Sequence, residues 1–390
     1  MNLEDNRRPT GPRILDGVVV LDFTCVISGP YCTRMMADLG AEVLKIEPPQ
    51  GELLRAVPPH RNGASKLFSQ LNAGKRCISL DLKNPNAIEV IKRLAKTADV
   101  VVENFSPGVM QRLGIDYSVL SADNKRLVMC SISGFGQTGP DAQRPAFAPV
   151  VQAWSGYDAV TLNYQPGLDK PLNMGLPVAD NVAALQAFGA INAALYYREK
   201  TGIGQYIDIA MFDALLGTMQ KDFQVALEPQ SHDRIYGPLE TSDSYIFMMV
   251  ISPRHFEDLT DIIGRPELKT DERFAATIAR LHNYAELVAI VAAWVRTRTT
   301  ADVLAEFNQR KIPASSYRNI AETLDDPQLR HRNMITEIND DGGRLNVPNS
   351  PFLFSHTHAA IKPQVASIGA HNQAVLRDEL GLDPDTLVAH

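Results

Sequence analysis

What this sequence lacks excludes several large protein classes. Its 390 residues hold four cysteines, Cys25, Cys32, Cys77 and Cys130, with no C-x-x-C pair and no histidine cluster near them, so no metal site is expected. Cys32 and Cys130 sit in apolar runs and read as small core residues. Basic charge is not in excess: the net charge is -7 and the pI near 5.7, which argues against a nucleic-acid partner. A polyanionic small ligand is still compatible, because only the local field at a site matters. No apolar run approaches the ~18 residues needed to cross a bilayer. The opening segment MNLEDNRRPTGPR carries charges without the apolar core of a secretory signal, so no membrane partner and a cytoplasmic location are expected. No G-x-S-x-G occurs, which removes the nucleophile-elbow serine hydrolases. The histidines are scattered singly, and no repeat or low-complexity tract is visible.

What is present is an ordinary globular balance, 45% hydrophobic and 21% charged, at a length that fits two domains. Val18 to Leu21 is a continuous apolar run suited to a strand buried on both faces. Cys32, Met35, Met36 and Leu39 recur at i, i+3, i+4 and i+7, a helix opened at Pro30 and stopped at Gly40. Val43 to Ile46, Cys77 to Leu80, Val100 to Val102 and Leu127 to Ile132 read as further strands, and Ile88, Ile91, Leu94 and Ala95 mark a helix among them. This alternation predicts an α/β fold with a mostly parallel sheet covered by helices. The pattern runs to about Gly217, so residues 1–217 are expected to form most of a large domain, with a polar linker at 218–240. A strand over Tyr245 to Ile251 and a helix with Leu287, Ile290, Val291 and Trp294 place a smaller α/β domain at 241–325. A second linker at 326–345 then leads to a tail, 346–390, with another helix around Val375, Leu376 and Leu380.

The most informative stretch is Met174 to Gly217. Pro177 and Asp180 open a helix in which Val182, Leu185, Phe188, Ile191 and Leu195 are spaced for one face. Seven small residues between Ala183 and Ala194 imply that another backbone approaches closely. Gly202 and Gly204 end the helix in a turn, and Tyr206 to Ile209 follows as a short strand. On its own, Asp180 reads as a helix cap, a common role for aspartate.

Taken together, an acid heading an Ala-rich helix, R-E-K-T-G-x-G-Q and D-I-A-M-x-D-A resemble the class III CoA-transferase family, whose relatives include alpha-methylacyl-CoA racemase. L-D-F-T-x-x-x-x-G-P followed by R-M-M-A-D-L-G-A-E-V-L-K-I-E extends the resemblance, which runs from Leu15 to about Leu382. It implies a large Rossmann-like domain, a smaller α/β domain, a tail returning to the large domain, and two chains interlocked as a dimer. It also implies that Asp180 is the nucleophile.

Each further site residue has a plain alternative. The turn Val26-Ile-Ser-Gly-Pro30 aims free N–H groups above the sheet, suited to a phosphate or simply to starting a helix; the resemblance lays Val26 and Ile27 against CoA. In Glu103-Asn-Phe-Ser-Pro-Gly108, Asn104 can hydrogen-bond an amide or nucleotide and Phe105 can stack on adenine. Arg112 can pair a phosphate bidentately, or be a solvated arginine after a turn. Lys75, with Arg76, meets CoA phosphates or marks a solvated strand entrance, and the resemblance adds Leu113 and Met211 as CoA contacts. Gly134-Phe-Gly-Gln-Thr-Gly139 is a literal G-x-G-x-x-G, but Pro140, Pro145 and Pro149 stand where a dinucleotide-binding helix would run. We read Ser133, Gly134, Phe135 and Gly136 instead as a shaped active-site loop, the candidate source of oxyanion donors.

Three departures narrow the expectation. Where the racemases have a His-Asp pair, this chain has Phe147-Ala148. The glycine run of formyl-CoA transferases is reduced to Gly237 within Ile235 to Ser242, and their glutamine after Val26 is Ile27 here, which favours a larger or less polar acid than oxalate. The expected activity is transfer of CoA from an acyl-CoA to a small carboxylic acid through covalent aspartyl intermediates. CoA thioester is then a substrate, and no cofactor is held permanently. A 2-methylacyl-CoA racemase, an NAD-dependent oxidoreductase and a CoA-binding protein without turnover are the alternatives.

Overall fold

The computed structural model describes residues 11–165, 167–172, 174–228, 237–250 and 252–387. Residues 1–10 of the expected large domain, 229–236 of the expected linker (Ile235 included), Ile251 of the expected strand and 388–390 of the tail lie outside them. The described residues fall into two compact units, one built from 11–162, 168–223 and 327–387, the other from 163–167 and 224–326. Among them no helix is long and apolar enough to cross a membrane.

The first unit alternates strands and helices: β1 (Val19–Asp22), α1 (Ser28–Asp38), β2 (Glu42–Glu47), α2 (Lys66–Asn72), β3 (Arg76–Ser79), α3 (Pro85–Ala95), β4 (Val100–Glu103), β5 (Val128–Ser133), α4 (Ala148–Trp154), α5 (Val178–Thr201), β6 (Tyr206–Ala210) and α6 (Met211–Leu216). The six strands form one sheet in the order β3-β2-β1-β4-β5-β6, every pair parallel. The central strands read as unbroken apolar runs because both faces are covered. Val20, Val100, Val102, Cys130 and Ile132 point into one core with α1 and α5, while Leu21, Val101 and Met129 point into the other with α3.

Helix α5 differs from its sequence expectation in the face it buries. Ala183, Ala184, Ala187, Ile191 and Ala194 are inside, whereas Leu185 is half exposed. Small side chains let α1 and the sheet come close to this face, so the alanines join Ile191 and Leu195 in the contact and Leu185 stays outside. The helix ends at Gly202 in the left-handed conformation, φ +77°.

Under the β1–α1 turn lies a buried polar network. Lys75 Nζ donates to Asp22 Oδ2 at 2.9 Å, Thr33 Oγ1 at 2.8 Å, Asn72 Oδ1 at 2.8 Å and the Pro30 carbonyl at 3.0 Å. Burial alone would raise the Asp22 carboxyl, but Lys75, Lys45 and the Thr24 and Thr33 hydroxyls outweigh it and hold the group well below the usual carboxylate range. Burial lowers Lys75 to about 8 against the pull of Asp22. Lys75 is thus an internal tie, buried beneath the turn and not at a solvated strand entrance. Arg76 lies at the surface with Glu42 and Glu379.

The tail belongs to the first unit. The hairpin β10 (Ile335–Asp340) and β11 (Gly343–Pro348) is antiparallel, and a short π-helix over Gln373–Glu379 buries Val375 and Leu376 against the α3 side of the sheet. His371 fastens the tail to β3, accepting from Cys77 N–H at Nδ1 (3.1 Å) and donating its own N–H to the Cys77 carbonyl (2.9 Å). In the second unit an antiparallel sheet orders β7 (Leu239–Glu240), β8 (Tyr245–Met248) and β9 (Ala314–Ser316) as β9-β8-β7. It packs with helices α7 (Pro253–Ile262), α8 (Tyr284–Val295) and α9 (Thr300–Gln309) around Phe256, Leu287, Val291 and Phe307.

Replacing Lys75 by Met leaves Asp22 buried without its nearest cation. Chemical denaturation should show the variant less stable by about 3–5 kcal/mol, the cost of breaking a buried pair. An unchanged midpoint with weakened CoA binding would instead return Lys75 to phosphate contact.

Candidate active site

Parallel sheets bind ligands outside the carboxyl ends of their strands, where the strand order reverses. Here that point lies between β1 and β4, whose neighbours diverge to either side. A cleft opens there, lined by Cys25, Val26 and Ser28 after β1, by Asn104 to Pro107 after β4, by Ile132 to Gly134 at the end of β5, by 142–147, by Asp180, and by Met211.

The β1–α1 turn is the most constrained part of the wall. Val26 has φ +66°, a left-handed conformation that a β-branched residue adopts only when its surroundings impose it. Asn104 imposes it from one side: its Oδ1 accepts from Cys25 N–H at 2.9 Å and its Nδ2 donates to the Cys25 carbonyl at 2.8 Å. From the other side Glu52 Oε2 accepts from Val26 N–H at 3.2 Å, and Lys45 Nζ donates to the Thr24 carbonyl at 2.7 Å. Gly29 completes the turn; a Cβ there would lie 2.2 Å from the Thr24 side chain. The amide of Asn104 is therefore spent on the turn.

Asp180 enters the cleft from the first turn of α5. The N-cap of that helix is Pro177, and no side chain caps it. The hydroxyl and backbone N–H of Ser28, at the start of α1, act instead on the Asp180 carboxylate and favour its ionised form. Burial pushes Asp180 above the usual value, with both Ser28 donors pulling the other way. The N-terminal end of a 24-residue helix also favours a negative charge there. The nearby Cys25 thiol is raised to about 11, first by burial and then by Glu52, so it stays protonated at neutral pH.

Of the residues singled out by sequence, Val26, Asn104, Phe105, Ser133, Gly134, Asp180 and Met211 share this cleft. Others do not line it. Ile27 packs with Leu54 and Phe68, and Lys75 is buried below. Leu113 packs on the α3 side while Arg112 is exposed on the short helix Val109–Leu113. Phe135 packs beside Phe212 at 6.0 Å. Gly136, at φ +90°, donates its N–H to Ser133 Oγ at 3.0 Å, and Gln137 donates its own to Asp208 at 2.9 Å. Those two amides are thus engaged, one by Ser133 and one by β6, which narrows the expected oxyanion donors. No helix follows Gly139 until Ala148, so the glycine triplet lacks the helix N-terminus a pyrophosphate needs. Residues the sequence reading missed are Ser28, which favours the ionised form of Asp180, and Arg144, whose guanidinium stacks 3.6 Å over the Trp154 ring. A hydroxyl at the first position of a helix after a strand was the available signal for Ser28.

A doubly covered parallel sheet with a cleft at its switch point defines an α/β protein with a small-ligand site. The chain belongs to CoA-transferase family III, whose model matches residues 15–372. It is 33% identical to the succinyl-CoA--D-citramalate CoA-transferase of Chloroflexus aurantiacus, over 98% of this chain and 97% of that one. It is 31% identical to the succinate--glutarate CoA-transferase of Agrobacterium fabrum, over 96% of both. Among solved structures, Rv3272 from Mycobacterium tuberculosis superposes with a TM-score of 0.84 at 30% identity, covering 94% of this chain and all of that one. The activity is CoA transfer between an acyl-CoA and a free carboxylic acid. The racemase alternative is not supported, since these relatives are transferases and Phe147-Ala148 offers no histidine base.

If the Asp180 carboxylate must be ionised to react, activity falls in acid. The acid limb of kcat/KM for the acyl-CoA donor should then titrate above the 3.8 of an ordinary aspartate. Ser28→Ala removes one donor that favours the ionised form and should move the limb to still higher pH. A pH–rate profile identical in the wild type and Ser28→Ala would break the link between these two residues.

Proposed function

We propose that Asp180 is the nucleophile of the transfer. The supporting observation is that Asp180 lines the switch-point cleft beside Ser28, whose hydroxyl and N–H favour its ionised form. An Asp180 oxygen attacks the thioester carbonyl, forming an aspartyl-acyl anhydride and expelling CoA thiolate. The thiolate attacks the aspartyl carbonyl, releasing the first acid and leaving an aspartyl-CoA thioester. The acceptor carboxylate attacks that carbonyl and expels the thiolate, giving a new anhydride. The thiolate then takes the new acyl group and restores the Asp180 carboxylate. Retaining the thiolate matters most, because a tethered reactant acts at a high effective concentration. Val26, Phe105 and Met211 supply the walls for CoA, and Arg112 supplies an exposed cation for a phosphate.

The named relatives use succinyl-CoA or succinate with citramalate or glutarate. We take the acids handled here to be small dicarboxylic acids as well, with the protein acting in the cytoplasm.

Asp180→Asn should keep the fold and CoA binding while exchange falls by several orders of magnitude, since an amide does not form the anhydride. Mass spectrometry of the wild type during turnover should find an acyl or CoA adduct on the peptide containing Asp180, trappable with hydroxylamine. Full turnover in the variant, checked by mass for reversion to Asp, would end this assignment.

The working form is a homodimer of interlocked chains. The outward side of α5 supports a partner: Leu185, Tyr196 and Tyr197 are exposed, as are Phe147 and Trp154. Light scattering at low micromolar concentration should give twice the chain mass, with dissociation only on unfolding. A folded monomer would contradict it.

A further inference from the structure

We propose that Arg144 binds the second carboxylate of a dicarboxylic substrate and so selects dicarboxylic over monocarboxylic acids. The inference rests on the reading of Asp180 above and adds the residue that sets acid choice.

Among the residues lining the cleft, Arg144 is the one cation and Asp180 the one carboxylate. A monoacid engages the reaction through its single carboxylate. A dicarboxylate carries a further negative charge into a cleft that already holds Asp180, and a bare charge there is expensive unless paired. Arg144 is placed to pair it. Its nearest acid, Asp141, is 3.8 Å away, and both side chains are partly exposed, a contact of little worth. The guanidinium is instead fixed by its faces: it stacks over Trp154 at 3.6 Å and lies 5.5 Å from the Phe135 ring. Stacking orients a guanidinium plane yet leaves its N–H edge for a carboxylate fork. The loop carrying it is anchored as well. Arg144 N–H donates to the Asp141 carbonyl at 2.9 Å, Gln143 Nε2 to the Pro107 carbonyl at 3.4 Å, and Ala146 packs directly on Gly134. For a purely aliphatic acid the same cation would be a liability, because its charge would be stripped of water with nothing to pair.

The test uses matched acids of equal chain length, succinate against butyrate and glutarate against pentanoate, offered as acceptors and as CoA thioesters. The readout is the ratio of kcat/KM for the dicarboxylate to that for the monocarboxylate. The wild type should favour the dicarboxylate, and in Arg144→Gln the ratio should fall roughly 10- to 150-fold, the range for a hydrogen bond to a charged group. Arg144→Lys, which keeps the charge but not the fork, should lie between, and it carries the test if the Gln variant does not fold. A dicarboxylate preference that survives Arg144→Gln, or a loss equal for both acids, overturns the role of Arg144 while leaving the transferase reading intact. A wild type without dicarboxylate preference overturns the inference itself. A wild type that exchanges none of these acids and shows no adduct at Asp180 removes the reading it rests on.

Discussion

Between Asp22 and Ser28 the chain leaves the first strand, turns through a left-handed valine and enters α1, and the cleft depends on that turn remaining closed. Nothing in the local sequence makes the conformation cheap for Val26. It is held because Asn104 binds both backbone groups of Cys25, Glu52 takes the Val26 N–H, and Lys45 takes the Thr24 carbonyl. Below, the Asp22–Lys75 pair ties β1, the start of α1 and the end of α2 together. Such a network gives little net stability, since desolvation offsets its attraction. What it gives is position: Ser28 is brought into the cleft that Asp180 lines.

That arrangement suits a reaction whose intermediates are supplied mostly by the substrates. A carboxylate nucleophile needs no base to activate it, only a pKa low enough to be ionised and a setting dry enough to be reactive. Burial raises Asp180, and the Ser28 donors and the helix N-terminus oppose the rise. Cys25, in the same cleft, keeps its proton at neutral pH through burial and the Glu52 charge. Scaffold and chemistry therefore share the same buried charges.

Much of the scaffold was legible because its signals are periodic. Apolar runs marked β1, β4 and β5, since a strand buried on both faces needs no polar alternation. The i, i+3, i+4, i+7 spacing marked α1, and glycine marked the end of α5. Periodicity on α5 held for Ile191 and Leu195 and failed at one position. Leu185 fits the apolar stripe but is exposed, because close approach of α1 selects the alanine face by size and not by hydrophobicity. Among site residues, the motif brought Val26, Asn104, Phe105, Ser133, Gly134, Asp180 and Met211 to one cleft. It did not reveal that Lys75 is buried, because a lysine next to a strand looks the same whether it faces solvent or a buried aspartate 53 residues away.

The sequence by itself determined the parallel α/β scaffold and its kinship, since strand–helix alternation and motif spacing are local properties of the chain. It also put Asp180 at the head of an alanine-rich helix. Only the tertiary structure decided what that carboxylate faces. Ser28 lies about 150 residues earlier in the chain, Asn104 between them, and Arg144 on a loop with no pattern of its own. Whether a lysine is a tie or a ligand, and whether an aspartate caps a helix or faces a cleft, depends on which distant groups surround it. Burial and pairing set those roles, and both exist only once the chain has closed on itself.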